Sequence, residues 1–292
     1  MFEPIHNEFF FTFKGKDPVK NEDVQIDSRF LKMALKEKPV EKLSLMKAEE
    51  LDYDSLDGAL YMDANTFSNT EIEMEFYIKK DMEFETRQAL TMLTLINSGT
   101  ISFGWDEGFY RACRLASNVE INEVDDDEYN YECIISFVLA PYKYAVEGQE
   151  FVYDHNSSKE LQHSSKITNF YMASMPYIYL DTYTSKELPS GFLDFVIHNM
   201  QRNKETGEYE EISKQKVIIY ATDIPRRICI DCVNRYVYAV DENYGENMNY
   251  LMHMDSDFPI IKPGISMITF SEDYYNAYTG RGFNIIPNWR TL

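Results

Sequence analysis

The chain has 292 residues, 44% of them hydrophobic, which is enough to bury two ordinary cores, so we expect two domains. Lysine and arginine number 28 against 49 aspartate and glutamate residues, giving a net charge of −21. The acidic residues are spread along the whole sequence, so the folded surface should be negative throughout. Duplex DNA and anionic membranes both attract basic surfaces, so the charge argues against either partner.

No segment predicts export or membrane insertion. The apolar run at residues 9–13 follows Glu3 and Glu8 rather than basic residues, and it is about half as long as a signal-peptide core. No stretch approaches the roughly 18 apolar residues that a spanning helix needs. We therefore expect the protein to be made in the cytoplasm.

The chain opens with short predicted strands and turns. Residues 6–13 predict a strand that is ended by a turn over residues 14–18, which contains both a glycine and a proline. Residues 42–47 alternate as a second strand. Residues 53–60 then predict a loop around Asp57-Gly58.

A strand and a helix follow. Residues 71–78 alternate strictly between acidic or tyrosine side chains and apolar ones, so one face of this strand should be buried and the other wet. Over residues 83–96 the apolar period changes to that of a helix, and Asn97-Ser98-Gly99 provides its C-terminal stop. The helix should lie across the sheet.

Residues 101–144 predict three further strands with no chemistry on them. Val119 and Ile121 alternate, the acidic tip at residues 125–128 turns the chain, and alternating residues from Tyr131 to Phe137 return. We interpret this stretch as scaffold.

The polar segment at residues 146–166 predicts a linker between an N-terminal domain, residues 1–145, and a C-terminal domain, residues 167–292. Many short strands at regular spacing, with almost no helical period, predict an antiparallel β-sandwich for the second domain. These strands are predicted at residues 167–172, 177–182, 191–198, 216–220, 227–231, 236–240, 265–270 and 282–287.

The four cysteines do not predict a metal or redox site. Cys229 and Cys232 form a C-x-x-C pair, but Cys113 and Cys133 are not a second pair at comparable spacing. The alternating residues around Cys229 indicate a hairpin rather than the helix N-terminus that lowers a thiol pKa. We therefore expect small packed side chains in a reducing compartment.

Other chemical patterns are equally weak. Asp52, Asp54 and Asp57 imitate a calcium loop, but the third carboxylate and the glycine are displaced and flanking helices are absent. Consecutive acids at residues 125–128 point apart on a turn, whereas glycoside hydrolysis needs two facing carboxyls. The histidines are dispersed, and no Gly-x-Ser-x-Gly motif or phosphate loop accompanies them. We predict no catalytic, cofactor-binding or metal-binding residues, and no enzyme.

Several motifs in order along the chain resemble siphophage distal tail proteins. In the first half these are the loop at residues 56–60 and the aromatic pair at residues 109–110, which lies between the helix and an isoleucine-containing hairpin. The ending carries the sharpest match, in the Asp-Phe-Pro-Ile of residues 257–260, the Pro-Gly-Ile-Ser of residues 263–266 and the Pro-Asn-Trp-Arg-Thr-Leu close of residues 287–292. The chain departs from the family in lacking a glycine-arginine pair in its loop and in having Ser266 where asparagine is common.

The resemblance implies a structural protein of the virion tail. It implies an N-terminal β-sheet or split-barrel-like domain with one helix, which forms a homohexameric ring, and a C-terminal galectin-like β-sandwich. The implied partners are the tail tube protein, a tail-associated lysin or fibre protein and receptor-binding proteins, with no cofactor.

A carbohydrate-binding β-sandwich module is the alternative function. A galectin-type sugar site needs His, Asn and Arg in alternation on one strand together with a tryptophan platform. His198, Asn199 and Arg202 lie close in sequence, but their order does not place them on one face of a strand. Trp289 has a different predicted role, since it follows Pro287 and should fold back over the sandwich as a buried anchor.

Overall fold

The protein is described by a computed structural model that covers residues 9–31, 33–51, 60–79, 83–124, 129–151, 153–154, 164–182, 190–221, 226–241, 244–271 and 283–292. The chain divides into two compact units, residues 1–143 with Leu292, and residues 144–291. The described part contains one α-helix and otherwise mainly strands, which confirms the predicted mainly-β class. No described helix is long and apolar enough to cross a membrane. The domain limits and the linker at residues 146–166 stay a prediction, and residues 152 and 155–163 lie outside the described part.

The first unit is a curled antiparallel sheet with one helix. Its elements are β1 (Phe11–Lys16), β2 (Asp23–Asp27), β3 (Met33–Leu35), β4 (Met46–Leu51), β5 (Leu60–Phe67), β6 (Thr70–Lys79), α1 (Glu83–Ile96), β7 (Ser98–Phe103), β8 (Phe109–Leu115), β9 (Glu120–Glu123) and β10 (Tyr129–Leu139), and β11 (Lys143–Ala145) spans the division after residue 143. In sheet order the main strands are β2, β1, β7, β8, β10, β6 and β3, with β9 paired to β10, while β4 and β5 form a separate two-stranded ribbon.

The regular spacing of apolar residues explains two elements of this unit, strand β6 and helix α1. The even residues of β6 are buried and its glutamates are exposed, as the alternation predicts. Helix α1 has the predicted bounds, and it ends at Asn97, which adopts a left-handed φ of 59° and donates its N–H to the Leu93 carbonyl at 2.9 Å. Leu90 and Leu93 bury one side of the helix in a core built mainly from β1, β6 and β10.

The start of the first unit differs from the prediction. Strand β1 continues through Gly15 to Lys16, so the predicted turn at residues 14–18 is wrong in position. Gly15 is required for packing, because a Cβ there would lie 2.5 Å from Ile96 Cγ2. The turn follows at Asp17, whose carboxylate accepts the backbone N–H groups of Val19 and Lys20. The strand predicted at residues 42–47 is also displaced, since β4 begins at residue 46.

The second unit is an antiparallel sandwich, as predicted. Its strands are β12 (Tyr153–Asp154), β13 (Ser164–Asn169), β14 (Tyr177–Asp181), β15 (Phe192–Arg202), β16 (Tyr209–Tyr220), β17 (Arg227–Asp231), β18 (Tyr236–Ala239), β19 (Gly264–Phe270), β20 (Phe283–Ile286) and β21 (Arg290–Thr291). One sheet has the order β12, β20, β14, β17, β18, and the other has the order β13, β19, β15, β16. Phe283 joins the two layers, with its ring centroid 5.1 Å from that of Phe195 and 4.9 Å from that of Phe270.

The residues after β20 return to the start of this unit. The Ala145 N–H donates to the Trp289 carbonyl at 2.9 Å, and the Asn288 N–H donates to the Gly148 carbonyl at 2.8 Å. Gly148 has no room for a side chain, because a Cβ there would lie 2.7 Å from the backbone nitrogen of Trp289. The Trp289 side chain is half-buried and packs against the core, and its ring centroid is 5.6 Å from that of Tyr171. This packing agrees with the anchoring role expected for Trp289.

Candidate interaction surfaces

The described residues contain no cluster of three or more histidine, cysteine, aspartate or glutamate side chains arranged to hold a metal ion. Several of the weighed motifs lie outside the described residues, namely Asp52, Asp54, Asp57, the acidic tip at residues 125–128 and three of the histidines. The described residues do present surfaces that are distinguished by charge, by exposed apolar area and by aromatic side chains.

The cysteines are free and buried. Burial raises the pKa of the Cys113 and Cys133 thiols to about 12 and that of Cys229 to about 11, and it raises the pKa of Cys232 well above its ordinary value. At neutral pH such thiols stay protonated, which makes them poor nucleophiles and poor metal ligands. Their burial agrees with the expected packing role.

The polar residues His198, Asn199 and Arg202 near the end of β15 make their hydrogen bonds within the protein. The Asn199 side chain is 1% exposed, and its amide donates to Ser213 Oγ and the Ile260 carbonyl while its oxygen accepts from Lys262 N and Ser266 Oγ. All four of its hydrogen-bonding positions are thus filled within the protein.

The neighbours of Asn199 are also engaged internally. His198 contacts Glu211 and Thr269, and Arg202 donates to the Gly207 carbonyl in the turn of its own hairpin. The galectin-like trio considered from sequence is therefore not assembled into a sugar site.

A tyrosine face lies on the outer side of the five-stranded sheet, formed by Tyr177, Tyr179, Tyr236 and Tyr238. These side chains are half-buried and alternate with core residues on β14 and β18. The rings of Tyr236 and Tyr238 stack with centroids 5.8 Å apart, and the 75% exposed Tyr244 meets Tyr238 edge-on. Desolvation raises the pKa of Tyr177 and of Tyr179 to about 12, so both hydroxyls stay neutral. Flat aromatic rings with neutral hydroxyls can stack on a partner and hydrogen-bond to it.

An acidic face lies on the solvent side of the first sheet, formed by Glu71, Glu73, Glu75, Glu120 and Glu132. Strand register places the three β6 glutamates beside β10, and β10 beside β9, so that all five residues are on one side. Lys36 is bound within this face, 2.5 Å from Glu132 and 3.2 Å from Glu75. The hydrogen bond to Glu132 raises the pKa of Lys36, so this lysine stays charged, and two of the five carboxylates contact it.

An apolar strip leads into the first residue of β4 and is formed by Val40, Leu43, Leu45 and Met46. The first three side chains are 80%, 82% and 73% exposed, and Met46 is 47% exposed. Single exposed apolar residues are ordinary, but four within seven positions form a patch of the kind that marks an interface. Nothing in the sequence pattern distinguished these residues from a half-buried strand.

No protein-family model matches the chain, and no curated protein matches it by sequence. Among solved structures, the chain is similar to the Dit protein of phage SPP1, described as a paradigm of the hub adsorption apparatus in phages that infect Gram-positive hosts. The similarity covers 97% of this chain and 98% of that chain, with a TM-score of 0.52 and 12% identity. This chain has the fold of the SPP1 hub protein. The predicted resemblance to distal tail proteins is thereby confirmed at the level of the fold.

Two further similarities are to chains of phage P2 baseplate structures in the activated conformation. The structure with Ca matches over 97% of this chain and 98% of that chain, with 10% identity and a TM-score of 0.48. The structure with Sr matches over 94% of this chain and 97% of that chain, with 10% identity and a TM-score of 0.46. At TM-scores below 0.5 these two matches add no weight to the fold assignment.

Proposed function

We propose that this protein is a structural component of a phage tail tip, a distal tail protein of the virion that is made in the host cytoplasm and has no catalytic role. The observation that carries the proposal is the hub fold shared with the SPP1 protein over 97% of the chain. The order of the sequence motifs at the end of the chain supports it independently. Thiols held protonated by burial agree with a role in packing rather than chemistry.

The first unit forms a ring of six copies in this proposal. A ring removes the exposed strand edges and apolar surface that a single copy leaves in water. Support comes from the apolar strip and from the short strands β2 and β3 at the two ends of the sheet. One side of the ring meets the tail tube protein, the other meets a tail-associated lysin or fibre protein, and the second unit faces the receptor-binding proteins.

The acidic face lines the channel of this ring. DNA leaving the capsid must pass through the channel, and a carboxylate lining repels its phosphates so that the genome slides without binding. The net charge of −21 supports this role, as does the excess of the five glutamates over Lys36, Lys38 and Lys42 beside them.

Native mass measured by light scattering, with electron microscopy of the same sample, tests the proposal. We expect a mass of six chains and a ring with a central hole. A sample that contains only monomers at every concentration, with no ring in micrographs, contradicts the proposed assembly. Co-purification with the tail tube protein then tests the partner assignment separately.

Carbohydrate binding by the second unit is a second candidate function, and the tyrosine face favours it. Aromatic rings beside polar groups are suited to stacking on a sugar. Tyr244→Ala should reduce the retention of the protein on host cell-wall polysaccharide, whereas Tyr209→Ala, on a strand of the other sheet, should not. Equal retention of the parent and of the Tyr244→Ala variant argues against a sugar site on this face.

A further inference from the structure

A cleft lies between the segment that follows β3 and the outer side of β6. Its volume is about 430 Å³. One wall is formed by five residues of the segment 37–42, which we call the strap, and the other wall is formed by Glu71, Glu73 and Glu75. Every residue of the strap except Pro39 is exposed. The strap therefore stands away from the sheet instead of packing on it.

The strap is held near both of its ends. At its start the backbone N–H of Lys36 donates to the Glu75 carbonyl at 2.9 Å, and the Lys36 ammonium binds two carboxylates of the acidic face. Toward its end Glu41 accepts the indole N–H of Trp105 at 2.7 Å. Between these two points, the backbone of residues 37–40 forms no hydrogen bond with any described residue. The middle of the strap can therefore move toward the sheet while both ends stay in place.

The strap crosses β6 in the direction opposite to that strand. It starts beside Glu75, and shortly after its end the Ser44 hydroxyl lies 3.5 Å from the Pro141 carbonyl. Pro141 comes two residues after β10, whose last residue pairs with the first residue of β6. Lys38 is therefore placed nearer to the middle one of the three β6 glutamates, and Lys42 nearer to the first one.

The two walls of the cleft differ in charge and do not touch. Among the described residues, Lys38 and Lys42 form no ion pair, and neither do Glu71 and Glu73. Alternate residues of a strand are about 7 Å apart on the same side, so the β6 carboxylates repel one another. The strap carries two lysines against Glu37 on its wall of the cleft. Movement of these lysines toward β6 is therefore favoured by attraction and by relief of this repulsion.

We infer that the strap closes on β6, which brings Lys38 into an ion pair with Glu73 and Lys42 into an ion pair with Glu71. Two exposed ion pairs shift an equilibrium by at most about 30-fold, so salt can reverse the closure. The screening length falls from about 30 Å in 0.01 M salt to about 3 Å in 1 M salt. Closure takes place within one chain, so it does not depend on the proposed ring.

Closure of the strap changes the charge that the acidic face presents. Lys36 already binds Glu75 and Glu132. When the strap also pairs Glu71 and Glu73, only Glu120 of the five glutamates has no cation bound to it. The closed strap thus neutralises most of the acidic face, and its opening restores the negative charge. In the proposed channel, the open strap is the arrangement that repels DNA.

Cross-linking with a carbodiimide tests the closure, because this reagent joins an amine directly to a carboxylate that it contacts. The full chain is treated in about 0.01 M and about 1 M salt, and mass spectrometry identifies the linked peptides. We expect links from Lys38 to Glu73 and from Lys42 to Glu71 in low salt, with a several-fold lower yield in high salt. Yields are expressed relative to the link between Lys36 and Glu132, whose charged atoms are already 2.5 Å apart.

Two variants and an isotope mixture complete this test. Lys38→Gln should lose its own link and keep that of Lys42, while Lys204→Gln, which removes an exposed lysine from the second unit, should keep both links. Links found within single chains, in a mixture of isotope-labelled and unlabelled protein, support closure. Absence of both links in low salt overturns it, and so do equal yields at the two salt concentrations. Links found only between labelled and unlabelled chains also overturn it, because the lysines then pair with a second copy.

Discussion

Replacing Trp289 by alanine should lower the unfolding temperature of the second unit by several degrees. A fully buried aromatic residue contributes about 3–5 kcal/mol on truncation, and Trp289 is half-buried, so we expect a loss of about 2–3 kcal/mol. For a unit of about 150 residues, each kcal/mol shifts the midpoint by about 2–4 °C, so the expected fall is about 4–12 °C.

Differential scanning calorimetry of the parent and of Trp289→Ala measures this shift, and the transition of the first unit should stay in place. Trp289→Phe is the matched control, since it keeps an aromatic ring at this position and removes the indole N–H, which is buried without a hydrogen-bond partner among the described residues. Removal of that unsatisfied N–H should offset part of the stability lost with the smaller buried area, so the phenylalanine variant should unfold at a temperature close to that of the parent. If Trp289→Ala melts like the parent but loses binding to a tail or sugar partner, Trp289 is a contact residue and the reasoning is refuted.

Four further outcomes follow from the fold and its charges. The purified protein should show no salt-sensitive shift of duplex DNA in a gel, and retention at low salt would contradict the charge argument. Gly15→Val should destabilise the first unit in thermal unfolding, because its Cβ would overlap Ile96, and a stable variant would show that β1 can move. Although burial acts to raise the pKa of Asp27, hydrogen bonds from Arg29 outweigh it and lower that pKa below 3.8. The ionised carboxylate therefore stabilises the fold above pH 3.8, and this stabilisation is lost as the pH falls further. Asp27→Asn should unfold at a lower temperature than the parent at neutral pH, and this difference should disappear in acid. The four thiols should resist alkylation at neutral pH until the protein unfolds, and rapid labelling of the native protein would mean that the burial is wrong.

Elements with a strong local period were predictable from sequence. The bounds of α1 and the two faces of β6 follow from the spacing of their own apolar residues, and the stop at Asn97 follows from its tolerance of left-handed backbone. Gly15 was misread because a glycine that breaks a strand and a glycine that admits a neighbouring side chain have the same sequence signal. Only the distance to Ile96, which is 81 residues further along the chain, separates the two cases.

The candidate surfaces were even less predictable from sequence, because they depend on contacts between distant residues. Val40 and Leu43 have the composition of core residues, and their exposure results from the fastening of Glu41 and Leu45 by residues distant in sequence. The exclusion of Asn199 as a sugar ligand likewise requires four partners, of which only Ser213 is near it in sequence. The order of the sequence motifs along the chain was sufficient to predict the hub fold, but this order could not identify which side chains face solvent.

The meeting of Ala145 with Trp289 brings the two ends of the second unit within one hydrogen bond of each other. A module whose first and last residues are adjacent can be removed from a host chain, or inserted into a surface loop of another protein, without stretching either partner. The same proximity permits circular permutation, in which a short connection joins these ends and new ends open in a turn of the sandwich. The topology of the chain therefore permits this sandwich to be transferred between proteins as one segment.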